Sequence, residues 1–350
     1  MKGDFSMRTI DNDTVHELLL SKKPLLAYDE KKDYAVWKEE VRQKYIKLLG
    51  LDAIAENACP LSIEVEERVE TEEYTRLRYS FESENGCFVP CYLLIPKTKK
   101  EKYPVCICLQ GHTTGFHISI GEEKYDGDGE YLQTSTFALD AVKNGYIALA
   151  IEQRGMGERT TLQAKRGPSR TCGCMFTAMT ALISGRTIIG ERVWDVSKAI
   201  DSLSFFEKEF PLDIEDITVL GTSGGGTATY YSACYDARIK MAVPTCAVST
   251  YRDSIGDTWH CTCNYIPSIA KYFDMGELAT LIAPRKLLVC VGEIDPIFPL
   301  SGSKEVYSVI EKIYAKEGAE KNCKFVVYPG KAHYFDKNIT FPQMLAFREE

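Results

Sequence analysis

Three features predict an α/β fold, with a mostly parallel central sheet covered by helices on both faces. Short, continuously apolar runs recur at Val105–Leu109, Tyr146–Ile151, Ile217–Leu220, Met241–Val243, Leu287–Val291 and Phe325–Tyr328, as suits strands buried on both faces of a parallel sheet. Helix-like segments separate them at 134–144, 188–208, 227–236 and 302–317, the alternation expected of crossover connections. In front of them lies an antiparallel hairpin.

Taken in order, the chain is polar until Trp37, Val41, Tyr45, Leu48 and Leu49, which recur at helical spacing and stop at Gly50. This stripe must be buried on the main domain or on a second subunit; the latter would make the chain a homo-oligomer through its N-terminal extension. Thr75, Leu77, Tyr79 and Phe81 then alternate with Arg76, Arg78 and Ser80, the period of a half-exposed strand. "VPCYLLIP" follows the turn-like "ESENG" and completes the hairpin. Later, residues 156–187 and 247–280 are too long to be simple crossovers. They are expected to be lids or pocket walls. "GERVWDVSKAIDSLSFF" reads as a structural amphipathic helix.

A composition of 45% hydrophobic and 26% charged residues is that of an ordinary globular chain with a large core. The net charge of −8 argues against nucleic acid or an anionic membrane as partner, since both reward basic patches. No segment is apolar for long enough to span a bilayer, and the N-terminus lacks the apolar stretch of a signal peptide. Thirteen cysteines are an odd count for a disulfide framework, and Cys106, Cys108 and Cys290 lie inside apolar runs, where free thiols pack as small hydrophobes. A reducing cytoplasm is the expected location.

Chemistry enters at "ITVLGTSGGGTATYY", residues 217–231. A strand that becomes a helix through Gly221-Thr222-Ser223-Gly224-Gly225 is a G-x-S-x-G elbow, which sets its serine in a strained turn. Gly221 and Gly225 are expected because a Cβ at either would strike the neighbouring strand or helix. A serine hydroxyl is a weak nucleophile without a base, and the base needs a carboxylate to orient it. "GEIDPIFP" places Asp295 just past one strand and "PGKAHYFD" places His333 past the last. Glu293 is the alternative acid, with Asp295 then only capping the helix near Ser301, and Asp253 is a further substitute. An oxyanion needs two fixed donors. Gly224 follows the nucleophile, and "LQGHTTG" after the first parallel run offers the N–H of His112. Thr113 and His117 are weaker candidates for substrate contact, with solvated loop positions as the alternative for both.

"LQGHTTG", "IEQRGMGER", "VLGTSGGG", "VGEIDPIFP" and "GKAHYF" in this order resemble the α/β-hydrolase superfamily, and within it the dienelactone-hydrolase and acetylxylan-esterase-like branch, over roughly residues 75–340. The resemblance implies an α/β-hydrolase domain over 75–350, preceded by a helical extension and first strand over 1–74. It implies a Ser223–Asp295–His333 triad, an oxyanion hole of Gly224 and His112, and a loop framed by Arg154 and Gly155. Many relatives have His-Gly where Gln110-Gly111 stands here. Sugar-deacetylating relatives often have Gln where Gly224 stands, which argues against xylan. Dienelactone hydrolases proper use a cysteine nucleophile, which argues against that activity.

Tyr251, Trp259, His260 and Tyr265 in the second excursion read as lining of the substrate pocket, with packing of the lid alone as the alternative for the three aromatic residues Tyr251, Trp259 and Tyr265. Cys172 and Cys174 in one excursion and Cys261 and Cys263 in the other could bind zinc if the two met in space. Their C-x-C spacing is not that of the common C-x-x-C knuckles, and no step of the triad chemistry needs a metal. They are read as buried thiols of a lid, with no metal and no cofactor. The expected activity is hydrolysis of a small-molecule or carbohydrate acyl ester through an acyl-enzyme. A prolyl-oligopeptidase-like peptidase, an acyltransferase and a non-catalytic ligand receptor are the rivals.

Overall fold

The computed structural model describes residues 13–160 and 173–350. Among the described residues nine strands form one sheet in the order β1-β2-β3-β5-β4-β6-β7-β8-β9. They are β1 Ile63–Glu70, β2 Tyr74–Glu84, β3 Cys87–Pro96, β4 Tyr103–Leu109, β5 Ile147–Ile151, β6 Leu212–Thr222, β7 Ile239–Thr245, β8 Lys286–Gly292 and β9 Cys323–Tyr328. β1, β2, β3 and β5 pair antiparallel, and all pairings from β5 through β4 to β9 are parallel. The expected hairpin is β2–β3. The edge strand β1, "IEVEERVE", is mostly exposed, and its charges blunt an otherwise open row of backbone groups.

Alternate residues of the central strands feed two separate cores. Val105, Ile107 and Leu109 of β4 face one side with Leu287, Val289 and Val291 of β8, while Cys106 and Cys108 face the other with Leu288 and Cys290. Helices Tyr34–Leu49, Ile188–Phe206, Gly224–Tyr235 and Leu300–Lys316 cover the first face; Phe137–Lys143 and Lys337–Glu349 cover the second. The described cysteines are free thiols. Among the described residues no helix is long and apolar enough to cross a membrane.

The helix Tyr34–Leu49 begins at Asp33, whose Oδ1 accepts the Val36 N–H (3.1 Å), and ends at Gly50 with φ 71°. Trp37, Val41, Tyr45 and Leu49 are buried, and the Tyr45 hydroxyl donates to Tyr231 O at 2.6 Å. The stripe is covered by the chain's own core, so it is not a free face for a second subunit. The helix Ile188–Phe206 also differs from a simple amphipathic element. Besides Ile189, Val193 and Trp194 it buries Arg192 and Asp195, and Asp195 accepts hydrogen bonds from Arg154 and Arg159.

Candidate active site

The parallel strands end at one edge of the sheet, so the loops beyond them converge there. β6 runs to Thr222 and a helix starts at Gly224, which leaves Ser223 alone to turn the chain at φ 53° and ψ −123°. Few L-residues adopt that backbone. It is held by the Ser223 N–H donating to Thr245 O (3.0 Å) and by the Thr227 N–H donating to Ser223 O (2.8 Å). The glycines are required by close approach: a Cβ on Gly221 would lie 2.4 Å from Gly225 O, and one on Gly225 2.1 Å from Leu109 O.

His333 stands beyond β9, with Nδ1 2.8 Å from Oδ2 of Asp295 in the loop beyond β8. The Asp295 side chain is buried, and its Oδ1 accepts the N–H groups of Ile297 (2.9 Å) and Phe298 (3.0 Å). Burial alone would raise this carboxyl. The hydrogen bond from His333 and the two backbone donors outweigh burial and hold it below the usual carboxylate range. An ionised carboxylate only accepts, so Nδ1 carries the proton and Nε2 is the basic nitrogen. That Nε2 is shielded from solvent and has no partner among the described residues. Phe298 stacks on the imidazole, centroids 5.9 Å apart. Glu293 instead accepts the Gly330 N–H (2.7 Å), and Asp253 is held by Arg252 (2.7 and 2.9 Å).

Ser223 and His333 line one cavity of about 790 Å³, together with Gly111, His112, Thr113 and Gly155. A Cβ on Gly111 would lie 3.4 Å from Ser223 Cβ, and one on Gly224 would lie 2.6 Å from the His112 ring. The loop beyond β4 therefore meets the first helical turn directly beside the serine. Gly224 opens that helix, so its N–H has no acceptor within it. Beneath the loop, Gln110 Nε2 donates to Glu152 Oε1 (2.8 Å) and Gln153 Nε2 to Gln110 O (2.6 Å). Complete burial pushes Glu152 up to about 7, against the backbone N–H groups of Glu158 and Phe116.

The Abhydrolase family matches residues 6–181, half of the chain. This chain belongs to the Abhydrolase family. It is 29% identical over 301 residues to YtaP of Bacillus subtilis (strain 168), provisionally named a hydrolase, covering 84% of this chain and 93% of that protein. In fold it is similar to a Bacteroides fragilis NCTC 9343 protein provisionally named an acetyl xylan esterase (TM-score 0.80, 18% identity, 98% of this chain and 96% of that one). It is also similar to a glucuronoyl esterase from Solibacter usitatus (TM-score 0.63, 16% identity, 93% and 96%). The architecture of this Abhydrolase member is the α/β-hydrolase fold. The family match stops short of Ser223, so any role for Ser223, Asp295 and His333 has to be argued from their geometry.

The roof of the cavity in this Abhydrolase chain departs from the sequence reading. Trp259 and His260 line the cavity; Trp259 is 87% exposed at its rim, while His260 is fixed by Ile297 O (3.0 Å) and Ser254 Oγ (3.1 Å). Tyr251 and Tyr265 do not line it. Tyr251 is buried in the main core with its hydroxyl on that of Tyr231, and Tyr265 is 45% exposed elsewhere. Aromatic density alone cannot distinguish these faces. His117 is buried on Asp128 (2.9 Å) rather than solvated in its loop. Gly155 lines the cavity, but the Arg154 guanidinium turns away into a buried cluster with Asp195 and Glu84.

Tyr131, Met156, Met175 and Asn264 also line the site, and no local pattern singles them out. The two excursions do meet, at the cysteines that the sequence reads as buried lid thiols. Ligand atoms of His112, Cys174, Cys261 and Cys263 all lie within 4.8 Å of one another. Cys172 lies outside the described residues.

Proposed function

We propose that this Abhydrolase-family chain is a serine carboxylesterase acting on a small-molecule or carbohydrate acyl ester. The observation that carries the reading is the solvent-shielded His333 Nε2, unpartnered among the described residues, in the cavity that Ser223 also lines, with Nδ1 fixed on buried Asp295. His333 Nε2 takes the Ser223 hydroxyl proton as Oγ attacks the ester carbonyl. The N–H groups of Gly224 and His112 hold the tetrahedral oxyanion. His333 then gives its proton to the departing alcohol, leaving an acyl group on Ser223. A water attacks that acyl-enzyme by the same route in reverse, releasing the acid and restoring the serine. Asp295 keeps the Nδ1–H tautomer throughout and stabilises the imidazolium.

The names of the two structural neighbours, an acetyl xylan esterase by provisional name and a glucuronoyl esterase, support an ester rather than an amide substrate. Gly224, where sugar-deacetylating relatives often carry Gln, sets the chain apart from xylan deacetylation. A panel of p-nitrophenyl esters of increasing acyl length, run beside a peptide amide, tests the reading. Ester turnover should fall on the order of 10³- to 10⁶-fold in Ser223→Ala. Turnover of the amide alone, or an active Ser223→Ala variant, would overturn it.

A further inference from the structure

We propose that His112, Cys174, Cys261 and Cys263 bind one zinc ion that ties both lid excursions to the loop beyond β4. Three sulfurs and an imidazole nitrogen within 4.8 Å of one another are the donor number and type of a closed, four-coordinate zinc site. Tetrahedral Zn–S bonds of about 2.3 Å place neighbouring sulfurs about 3.8 Å apart, so small side-chain adjustments complete the shell. His112 Nε2 already lies 3.2 Å from Cys263 Sγ, and its other ring nitrogen is the one nearer Gly224. Cys174 lies in the first turn of the helix Gly173–Ile183, while Cys261 precedes and Cys263 sits within a single 3-10 turn, Thr262–Asn264. The four donors thus come from three segments far apart in sequence, which is why their spacing matches no contiguous zinc motif.

A second observation points the same way. Arg192 is 1% exposed, and its Nη2 donates to Cys174 Sγ (3.0 Å) and to Arg154 O (2.8 Å). Its described hydrogen bonds include no carboxylate, and a buried guanidinium without a counter-charge is costly. Zinc with three thiolates and a neutral imidazole carries a net charge of −1, which supplies that counter-charge. Binding releases three thiol protons to solvent.

With all four positions filled by protein, the ion is structural. Its effect is to fix His112, and through it the loop that faces Gly224. It takes no part in the steps above, and its test is independent of the esterase reading because zinc content is measured without substrate. The tag-free, reduced full chain is incubated with zinc, desalted, and assayed for metal by mass spectrometry. Wild type and Ser223→Ala should each retain about one zinc per chain. Cys174→Ser and Cys263→Ser should retain at least about tenfold less, while Cys59→Ser, remote from the cluster, keeps it. Cobalt in place of zinc should give wild type a thiolate-to-metal charge-transfer band, a readout that does not depend on any variant folding. Wild type that retains no zinc and shows no such band, or folded Cys174→Ser and Cys263→Ser variants that keep full zinc, would overturn the proposal.

Discussion

Ser223, Asp295 and His333 each stand within five residues of a strand end, whereas the roof over them is assembled from Cys174, Trp259 and Asn264 in two excursions that meet only in the fold. On the floor, a strand that must end and a glycine that must yield space fix where the chemistry can stand, and both leave a mark in consecutive residues. On the roof, position is set by which excursion packs on which. Asn264 Oδ1 accepting the Thr227 hydroxyl (3.1 Å) and the grouping of His112 with Cys174, Cys261 and Cys263 are products of topology. Local sequence specifies the turn that carries Ser223 far better than it specifies a pocket.

The contrast can be broken most sharply at the floor. Asp295→Asn should slow ester turnover by on the order of 10⁴-fold, because an amide facing Nδ1 favours the wrong imidazole tautomer. Glu293→Gln should change kcat/KM little, since Glu293 serves the Gly330 N–H. Equal effects would move the acid and remove the floor's defining bond.

The roof is tested by two aromatic residues that sequence alone treats alike. Tyr251→Ala removes a buried ring and should cost about 3–5 kcal/mol of stability without altering which ester is preferred. Trp259→Ala, at an exposed rim, should change stability by less than about 0.5 kcal/mol while shifting kcat/KM between a short and a bulky ester. Unfolding in denaturant and kinetics on the two esters separate them; a reversal would return Tyr251 to the pocket.

A smaller effect is expected where floor meets roof, at Glu152 under the loop beyond β4. Burial raises this acid to about 7, so the folded state holds its proton more tightly than the unfolded chain. The associated stability is present below the unfolded value, about 4.3, and is lost as pH rises through about 7. Glu152→Gln removes the titration. The variant's Tm minus the wild-type Tm should therefore grow by a few degrees between pH 5.5 and pH 8, and a constant difference would contradict the account.

Much of this fold is legible because apolar runs such as Leu287–Val291 carry both core faces at once, and because the helices expected at 188–208 and 302–317 are observed at Ile188–Phe206 and Leu300–Lys316. The elbow is legible because its glycines answer to sub-van-der-Waals approaches in the fold. Tyr251 misleads because a tyrosine suits a core and a pocket equally, and only its contact with Tyr231 decides. Glu152 is invisible because the partner that gives it meaning, Gln110, lies 42 residues away. Cys174, Cys261 and Cys263 stand out in the sequence as two C-x-C pairs, but His112 as their neighbour does not, because it comes from a third segment that only the fold brings to them.

The most direct measurement is the intact mass and site of labelling after reaction with a fluorophosphonate, which traps an activated serine. A single adduct on Ser223, absent from Ser223→Ala and strongly slowed in Asp295→Asn, is the predicted result. An unlabelled Ser223 in a chain that still turns over esters would contradict the account.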